Sequence, residues 1–530
     1  MLSKIGRSLK SAVAAVICTA MAGSGFAASA KPAPAPAAEV AVSIDLAHPG
    51  PRIEPAVHGQ FAEHLGRGVY DGIWVGPDSS IPNTKGYRND VLAALKKLHV
   101  PVLRWPGGCF ADEYDWRDGI GPRAQRPKRL NASWGGLDDN SFGTNEFMDF
   151  AELIGSEAYL SGNMGSMEPR AMNQWIEYIS SGSHSTLADQ RRANGRDKPW
   201  HVRYLGMGNE TWGCGGNLDA AGSAVMHRRY QTFIRPPSEN GPLTKVASGG
   251  SGDEYQYTET LMKDAGKFVD AISLHYYTFS GDWSNKGRAL GFSPADWARQ
   301  VSRARNLDQY LTGHTKVLDK YDPEKRVGLY VDEWGNWYDG DPADSHGALY
   351  QQNTMLDAVT AATTLNIFHR HSDRVRLAAI AQMVNVLQAM ILTDGPRMVT
   401  TPTYHVFDMY QPFMGATPYP LTLQSPTFEI GGATVPTVDG SAARGADGKL
   451  WLALVNADPE HAVRVRLADK GSAVGRILTA NRMDAHNTFD QPNAVVPQPY
   501  SQRSGKDGLV LTLPAKSVVV VQLDMAGAAH

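Results

Sequence analysis

The sequence predicts a (β/α)8 barrel followed by a β-sandwich, on three observations. Eight short apolar runs alternate with helical stretches between positions 56 and about 395. The runs are apolar on both faces, as parallel strands covered by helices must be. After Gly395-Pro396 the chain changes to short β-branched runs separated by Gly, Asp, Asn and Pro. That is the pattern of two antiparallel sheets packed face to face.

The eight runs are "AVHGQFAEH" (56–64), "VPVLRWPGG" (100–108), "EAYLSGNMG" (157–165), "HVRYLGMGNE" (201–210), "KVASGGSG" (245–252), "VDAISLHYY" (269–277), "VGLYVDEW" (327–334) and "LAAIAQMVN" (377–385). Amphipathic stretches lie between them. "NDVLAALKKLHV" carries Leu92, Leu95 and Leu98 on one side, and "NEFMDFAELIG" carries Phe147, Phe150, Ala151 and Ile154 at helical spacing. "PADWARQVSRARNLDQYL" and "YQQNTMLDAVTAATTLNIF" follow the same rule. An open doubly wound sheet is the alternative. It usually places a phosphate-binding glycine loop after its first strand, where this chain has Phe61-Ala62-Glu63-His64. The terminal runs "KLWLALVN", "HAVRVRLA", "AVGRILTA" and "GLVLTLPAKSVVVVQLD" make the sandwich, and "EVAVSIDL" near the start alternates in the same way.

A chain of 530 residues exceeds what one core usually serves. The expected division is a signal at 1–30, a Pro/Ala linker at 31–39, a strand segment joining the sandwich at 40–55, the barrel at 56–395 and the sandwich at 396–526. The signal rests on Lys4, Arg7 and Lys10, the short apolar "SAVAAVICTAMAGSGF" and the small-x-small Ala28-Ser29-Ala30. It predicts an exported protein, periplasmic or extracellular, with no membrane contact after cleavage. A net charge of −3 without a basic face excludes nucleic acid as an expected partner. Cys109 and Cys214 remain once the signal is removed. Two cysteines are no disulfide framework; an oxidising compartment would allow a single bridge, but their places inside strand-end motifs argue for local roles.

In a barrel of this kind the active site forms at the C-terminal strand ends. Those ends carry Glu63; Arg104, Trp105 and Cys109; Asn163; Asn209 and Glu210; His275, Tyr276 and Tyr277; Asp332, Glu333 and Trp334; and, on strand 8, Gln382 and Asn385. Strands 4 and 7 lie across the mouth, so Glu210 and Glu333 should face each other. Two opposed carboxyl groups are what glycosidic bond cleavage needs: one protonates the leaving oxygen, and the other attacks the sugar carbon or activates water. Asn209 can bond a sugar hydroxyl beside the reacting carbon, and Arg104 can hold Glu333 ionised. Trp74, Trp105, Trp134, Trp212, Trp283, Trp334 and Trp337 fall at or near strand ends, where aromatic faces suit sugar C–H faces. "HRHS" (369–372) reads as helix-end polarity. No HExxH, paired CxxC or phosphate-binding glycine loop occurs, so no metal or cofactor is expected.

These residues sit in "FAEHLGRGVYDGIW", "LRWPGGCFADEYDWRDGIGPRAQRP", "GTNEFMDFAELIG", "LGMGNETWGCGGN", "SLHYYT", "LYVDEWGNWYD" and "AQMVNVLQAMILTDG". In these motifs and their order the chain resembles the α-L-arabinofuranosidases of glycoside hydrolase family 51, within the clan of retaining (β/α)8 glycosidases. The resemblance implies an exo-acting enzyme that releases terminal α-L-arabinofuranosyl residues from plant carbohydrates by double displacement. It implies Glu210 as general acid/base and Glu333 as nucleophile. It implies Glu63, the backbone at Cys109, Asn209, Tyr277 and Gln382 as sugar contacts, and Arg104 and His275 as support for the nucleophile. It also implies a homo-oligomer. The stretch "TWGCGGN" after Glu210 is longer than the turn of many relatives, which leaves leaving-group preference open. A β-xylosidase or endo-glucanase on the same barrel is the alternative activity.

Overall fold

A computed structural model of the chain describes residues 38–341, 345–506 and 508–525. The expected signal and the expected linker up to residue 37 lie outside the described residues.

Eight parallel strands close into a barrel in sequence order. They are Gly59–Phe61, Val102–Trp105, Glu157–Gly162, Tyr204–Met207, Thr244–Ala247, Ala271–Thr278, Gly328–Asn336 and Val375–Ala381, called strands 1 to 8 below. Strand 8 closes on strand 1 by pairing Ala379 with Gly59 and Ala381 with Phe61. Each of the eight apolar runs overlaps one of these strands, and four of the strands extend one or two residues past their run.

The lower half of the barrel is filled, not hollow. Val102, Tyr159, Val246, Ala271, Tyr330 and Leu377 pack there as one cluster, the layered interior such barrels require. Outside, Asn89–Leu98 buries Val91, Leu92, Leu95 and Leu98, and Thr144–Ile154 buries Phe147, Phe150, Ala151 and Ile154. The longest helix, Pro294–Tyr321, starts where Ser293 Oγ accepts from Asp296 N and Asp296 reaches back to the Ser293 N–H. The helical layer runs past the expected boundary at 395. Helix Pro402–Tyr410 still packs on the barrel, and Tyr404 donates from its hydroxyl to Ala94 O at 2.9 Å. The Gly-Pro signal at 395–396 marks only the tight turn between strands Ile391–Asp394 and Arg397–Thr400.

Two sheets follow. One has four strands, in the order Leu421–Leu423, Ala38–Ile44, Val463–Leu467 and Leu509–Leu513. The other has six, centred on Leu450–Asn456 and Ser517–Met525. Val463, Val465 and Leu467 point into the shared core while Arg464 stays in solvent, the period-2 pattern of a half-buried strand. The segment "EVAVSIDL" contributes its strand to this unit, parallel to Val463–Leu467. Trp297 fixes the barrel against these strands through a 2.9 Å bond from Nε1 to Ala457 O. Buried Asp439 does the same by pairing with Arg305 and Arg370.

Two irregularities shape the mouth. The register of strand 6 against strand 7 slips between Ser273 and His275, and that of strand 7 against strand 8 slips between Val331 and Trp334. A bulge breaks the in/out alternation and re-aims side chains. Asp332 and Glu333, neighbours in the chain, therefore both meet groups inside the barrel. Asp332 accepts from the Tyr159 hydroxyl at 2.6 Å, and Glu333 accepts from the Tyr277 hydroxyl at 2.8 Å. Trp334 turns outward and packs on Phe368 and Phe407.

Candidate active site

Glu333 is buried at the end of strand 7. Arg104, from strand 2, donates from Nη1 to its Oε1 at 2.7 Å. The same guanidinium donates from Nη2 to Asn209 Oδ1 at 2.6 Å. Arg104 thus sets the positions of two candidate residues at once. It lies over the Phe61 ring, 4.5 Å from the centroid. Burial pulls its pKa down, but Asp332 and Glu333 push it up and prevail.

Glu210 approaches from strand 4 with a backbone φ of +42°. That region is costly for a side chain with a Cβ and is tolerated where surroundings enforce it. Here Gly213 N and Gly215 N both donate to Glu210 O, at 2.7 and 3.1 Å. Thr211 N donates to Ser248 Oγ at 3.2 Å. The Glu210 carboxylate accepts from His275 Nδ1 at 2.9 Å, and the same nitrogen stands 3.6 Å from Glu333 Oε2. One carboxylate oxygen of Glu210, one of Glu333 and a His275 nitrogen all lie within 4.8 Å of one another.

Burial drives the His275 imidazole toward neutrality. The Glu333 charge and the hydrogen bonds to Asp332 and Glu210 overcome that and carry it up to about 10. In the unfolded chain it returns to 6.5. A pKa raised by folding stabilises the fold fully below the unfolded value and loses its contribution as pH climbs through the folded value. Wild-type protein is therefore expected to lose its thermal-stability margin over His275→Gln between pH 6.5 and about 10. Calorimetry of the two proteins at both ends of that window checks this; a constant gap would contradict it.

The pocket floor is Glu63, 2% exposed at the end of strand 1. Its Oε1 accepts from Trp134 Nε1 at 2.9 Å and Phe110 N at 3.2 Å. Gln382 grips it from the other side, donating from Nε2 to Oε2 and accepting from Glu63 N, at 3.1 and 3.2 Å. Burial first, and the Glu333 charge second, lift the Glu63 carboxyl to about 7. Gly108 makes this approach feasible, because a Cβ there would lie 2.5 Å from Glu63 Oε1 and 2.7 Å from Oε2. Gly108→Ala is expected to displace Glu63 and cut kcat/KM by about 10²-fold while the thermal midpoint barely moves. Steady-state kinetics with a melting curve separates this from misfolding.

The expected set comes together only in part. Glu63, Arg104, Cys109, Asn209, Glu210, His275, Tyr277, Glu333 and Gln382 surround one mouth. Gln382 and Asn385 lie just beyond strand 8, not on it. Asn163 instead caps its own loop, accepting from Ser166 N and donating to Tyr114 O. Tyr276 faces outward, donating to Arg303 O, and Asn385 ties the following hairpin through Arg67 O and Thr393. Trp74, Trp105 and Trp334 are core residues. Trp134 reaches the pocket. Trp337 rests on the Tyr277 ring edge to face at 5.1 Å, and Trp283, 62% exposed, continues the line at 5.3 Å from Trp337.

Two features were not anticipated. Asp112 is a buried anchor: Oδ1 accepts from Met164 N and Gly165 N, and Oδ2 from Asn209 N, at 2.7, 2.9 and 2.7 Å. Burial raises its pKa to about 6 against these bonds. The second corrects the expectation of unbridged cysteines. Cys109 and Cys214, 105 positions apart, form a disulfide with Cα atoms 5.5 Å apart. The glycine-rich turn after Glu210 folds back toward the strand-2 loop, and chain spacing carries no trace of that.

A closed barrel with two carboxylates this close at its mouth defines the class of (β/α)8 glycoside hydrolases. Two family models match the chain: "Alpha-L-arabinofuranosidase 1 domain" over residues 94–289 and "Alpha-L-arabinofuranosidase C-terminal domain" over residues 332–517. An "Intracellular exo-alpha-L-arabinofuranosidase" of Bacteroides ovatus is 46% identical, over 90% of this chain and 94% of its own. The crystal structure of the GH51 arabinofuranosidase from Xanthomonas axonopodis pv. citri superposes with a TM-score of 0.89 at 48% identity, covering 92% of this chain and all of that one. An α-L-arabinofuranosidase from Thermotoga maritima, solved as an arabinose complex, gives a TM-score of 0.80 at 29% identity with the same coverage. The chain belongs to the α-L-arabinofuranosidases of glycoside hydrolase family 51.

The expectation of export is corrected by these findings. The Bacteroides ovatus relative is named as an intracellular enzyme. The export reading rested on residues 1–30 alone, which lie outside the described residues.

Proposed function

We propose that the chain is a retaining exo-α-L-arabinofuranosidase, with Glu333 as nucleophile and Glu210 as acid/base. The observation that carries this reading is the distance within 4.8 Å between carboxylate oxygens of Glu210 and Glu333, in a chain of this family. Retaining enzymes hold the two groups about 5–5.5 Å apart and inverting ones about 6.5–9.5 Å, to admit a water.

Glu333 attacks the anomeric carbon while Glu210 gives its proton to the departing oxygen. Glu210, now a base, takes a proton from water, which attacks the same carbon and releases Glu333. Arg104 and the Tyr277 hydroxyl hold the Glu333 carboxylate aimed. The His275 imidazolium holds Glu210 in reach of the leaving oxygen. Glu63 and Asn209 offer the polar groups that read the arabinose hydroxyls, Gln382 holds Glu63 in place, and Trp134 walls the pocket. Glu63, bonded by Trp134, Gln382 and Phe110 N in the turn that follows Cys109, closes the pocket floor.

A panel of 4-nitrophenyl glycosides tests the activity. Turnover of the α-L-arabinofuranoside at least about 10²-fold above the β-D-xyloside and the β-D-glucoside is expected, since a pocket that pairs hydroxyls at fixed positions leaves its polar groups unpaired by a ring that places them elsewhere. Equal or better turnover of the xyloside or glucoside would overturn it in favour of the alternative activities.

A further inference from the structure

The disulfide lies against the candidate acid/base. Cys214 Sγ is 3.7 Å from Glu210 Oε2 and 3.7 Å from Asn209 Nδ2. The sulfur of Cys109, the sulfur of Cys214 and one Glu210 oxygen lie within 4.8 Å of one another. Cys214 is exposed and Cys109 half-buried, so the cluster opens to solvent at the rim. While the bridge is closed, its sulfurs are neutral and poor ligands. Once it is open, two thiols and a carboxylate face one point.

We propose that, on reduction of the Cys109–Cys214 bridge, the two thiolates and the Glu210 carboxylate bind a thiophilic divalent cation, such as zinc or cadmium, and that this ion stops hydrolysis. A dithiol reductant supplies two electrons and two protons, closing to its own disulfide as the bridge opens to two thiols. The cation then displaces the two thiol protons into solvent. Metal–sulfur bonds of about 2.3 Å and metal–oxygen bonds of about 2.0–2.2 Å fit donors already this close, with water completing a tetrahedron.

The surroundings favour this trio. His275 Nδ1 binds Glu210 Oε1, leaving Oε2 turned to the sulfurs. A ligating carboxylate held by an outer hydrogen bond is the usual arrangement around bound metals. The cation-sized gap between Glu210, His275 and Glu333 is a weaker candidate. There His275 Nδ1 already donates to Glu210 Oε1 and Nε2 stands 3.4 Å from Asp332 Oδ1, so both ring nitrogens already face a carboxylate. The ion sits where a departing alcohol must receive its proton, and it holds Glu210 as carboxylate. Inhibition therefore rests on the acid/base reading of Glu210, whereas binding does not.

The test uses the full chain in two states, disulfide-intact and reduced, with reductant removed and free thiols counted by a thiol reagent. Cadmium is titrated into each, and the ultraviolet cadmium–thiolate charge-transfer band reports binding independently of activity. The reduced protein is expected to develop the band at one equivalent and to lose at least about 10-fold of its own metal-free arabinofuranosidase rate. The disulfide form and reduced Cys214→Ser are expected to show no such band. A lost outer partner alone costs about 10- to 100-fold in metal affinity, so Glu210→Gln is expected to weaken binding by at least that factor. No band on protein whose free-thiol count has risen by two over the disulfide form would overturn the proposal. A band with unchanged activity, or one indifferent to Glu210→Gln, would overturn the part assigned to Glu210.

Discussion

Glu333→Ala is expected to lower kcat by on the order of 10⁴-fold or more, with every leaving group. Removing a nucleophile leaves only binding and electrostatic stabilisation, and losses of up to about 10⁶-fold are seen when such a group is deleted. The loss does not depend on the aglycone, because the glycosyl-enzyme bond itself can no longer form. Added azide is small enough to fill the vacated space beside Arg104 and Tyr277. It should restore turnover and yield the β-configured arabinofuranosyl azide, since it then attacks directly and inverts the centre. Azide-independent activity in this variant, or rescue with the α product, would place the nucleophile elsewhere.

Glu210→Ala is expected to behave differently along a series of aryl arabinofuranosides. General acid catalysis supplies about 10²–10⁴-fold, and it is needed most where the leaving oxygen is basic. Natural sugar leaving groups and unsubstituted phenol should lose about that full factor. Dinitrophenol, which departs unaided, should form the glycosyl-enzyme nearly as fast as with wild type and then stall without a base. Azide should relieve the stall and give the α-configured azide. The opposite stereochemistry of the two rescued products separates the roles, though both residues crowd the same 4.8 Å sphere. A uniform loss across the leaving-group series would contradict the assignment.

The barrel was legible because its strands are apolar on both faces, which only a helix-covered parallel sheet demands. Their ends were legible because carboxylates, an arginine and amides follow runs such as Leu205–Met207 and Leu329–Val331, where packing alone asks for none of them. What could not be read is whatever depends on angles between distant segments. Asp112 looks in sequence like any loop acid, yet it collects three backbone N–H groups from two different strand ends. The Cys109–Cys214 bridge depends on how one glycine-rich turn folds back. Tyr276 stands between two residues that do line the mouth, Asn163 and Asn385 follow strand ends of the same barrel, and only local turn and strand geometry decides that they face away. The bulge at Val331/Trp334 is a similar case, since strict alternation would have hidden either Asp332 or Glu333 from the interior.

The most direct measurement is the configuration of the product formed when methanol competes with water. Hydrolysis of 4-nitrophenyl α-L-arabinofuranoside in dilute methanol, followed by proton NMR, reports it before any mutarotation, because a methyl glycoside does not open. Two carboxylates at nucleophile-and-acid distance predict methyl α-L-arabinofuranoside, the retained anomer. The β anomer, or no methyl glycoside together with β-arabinofuranose as the first product, would mean that water or methanol attacks directly. Glu333 would then not be a nucleophile.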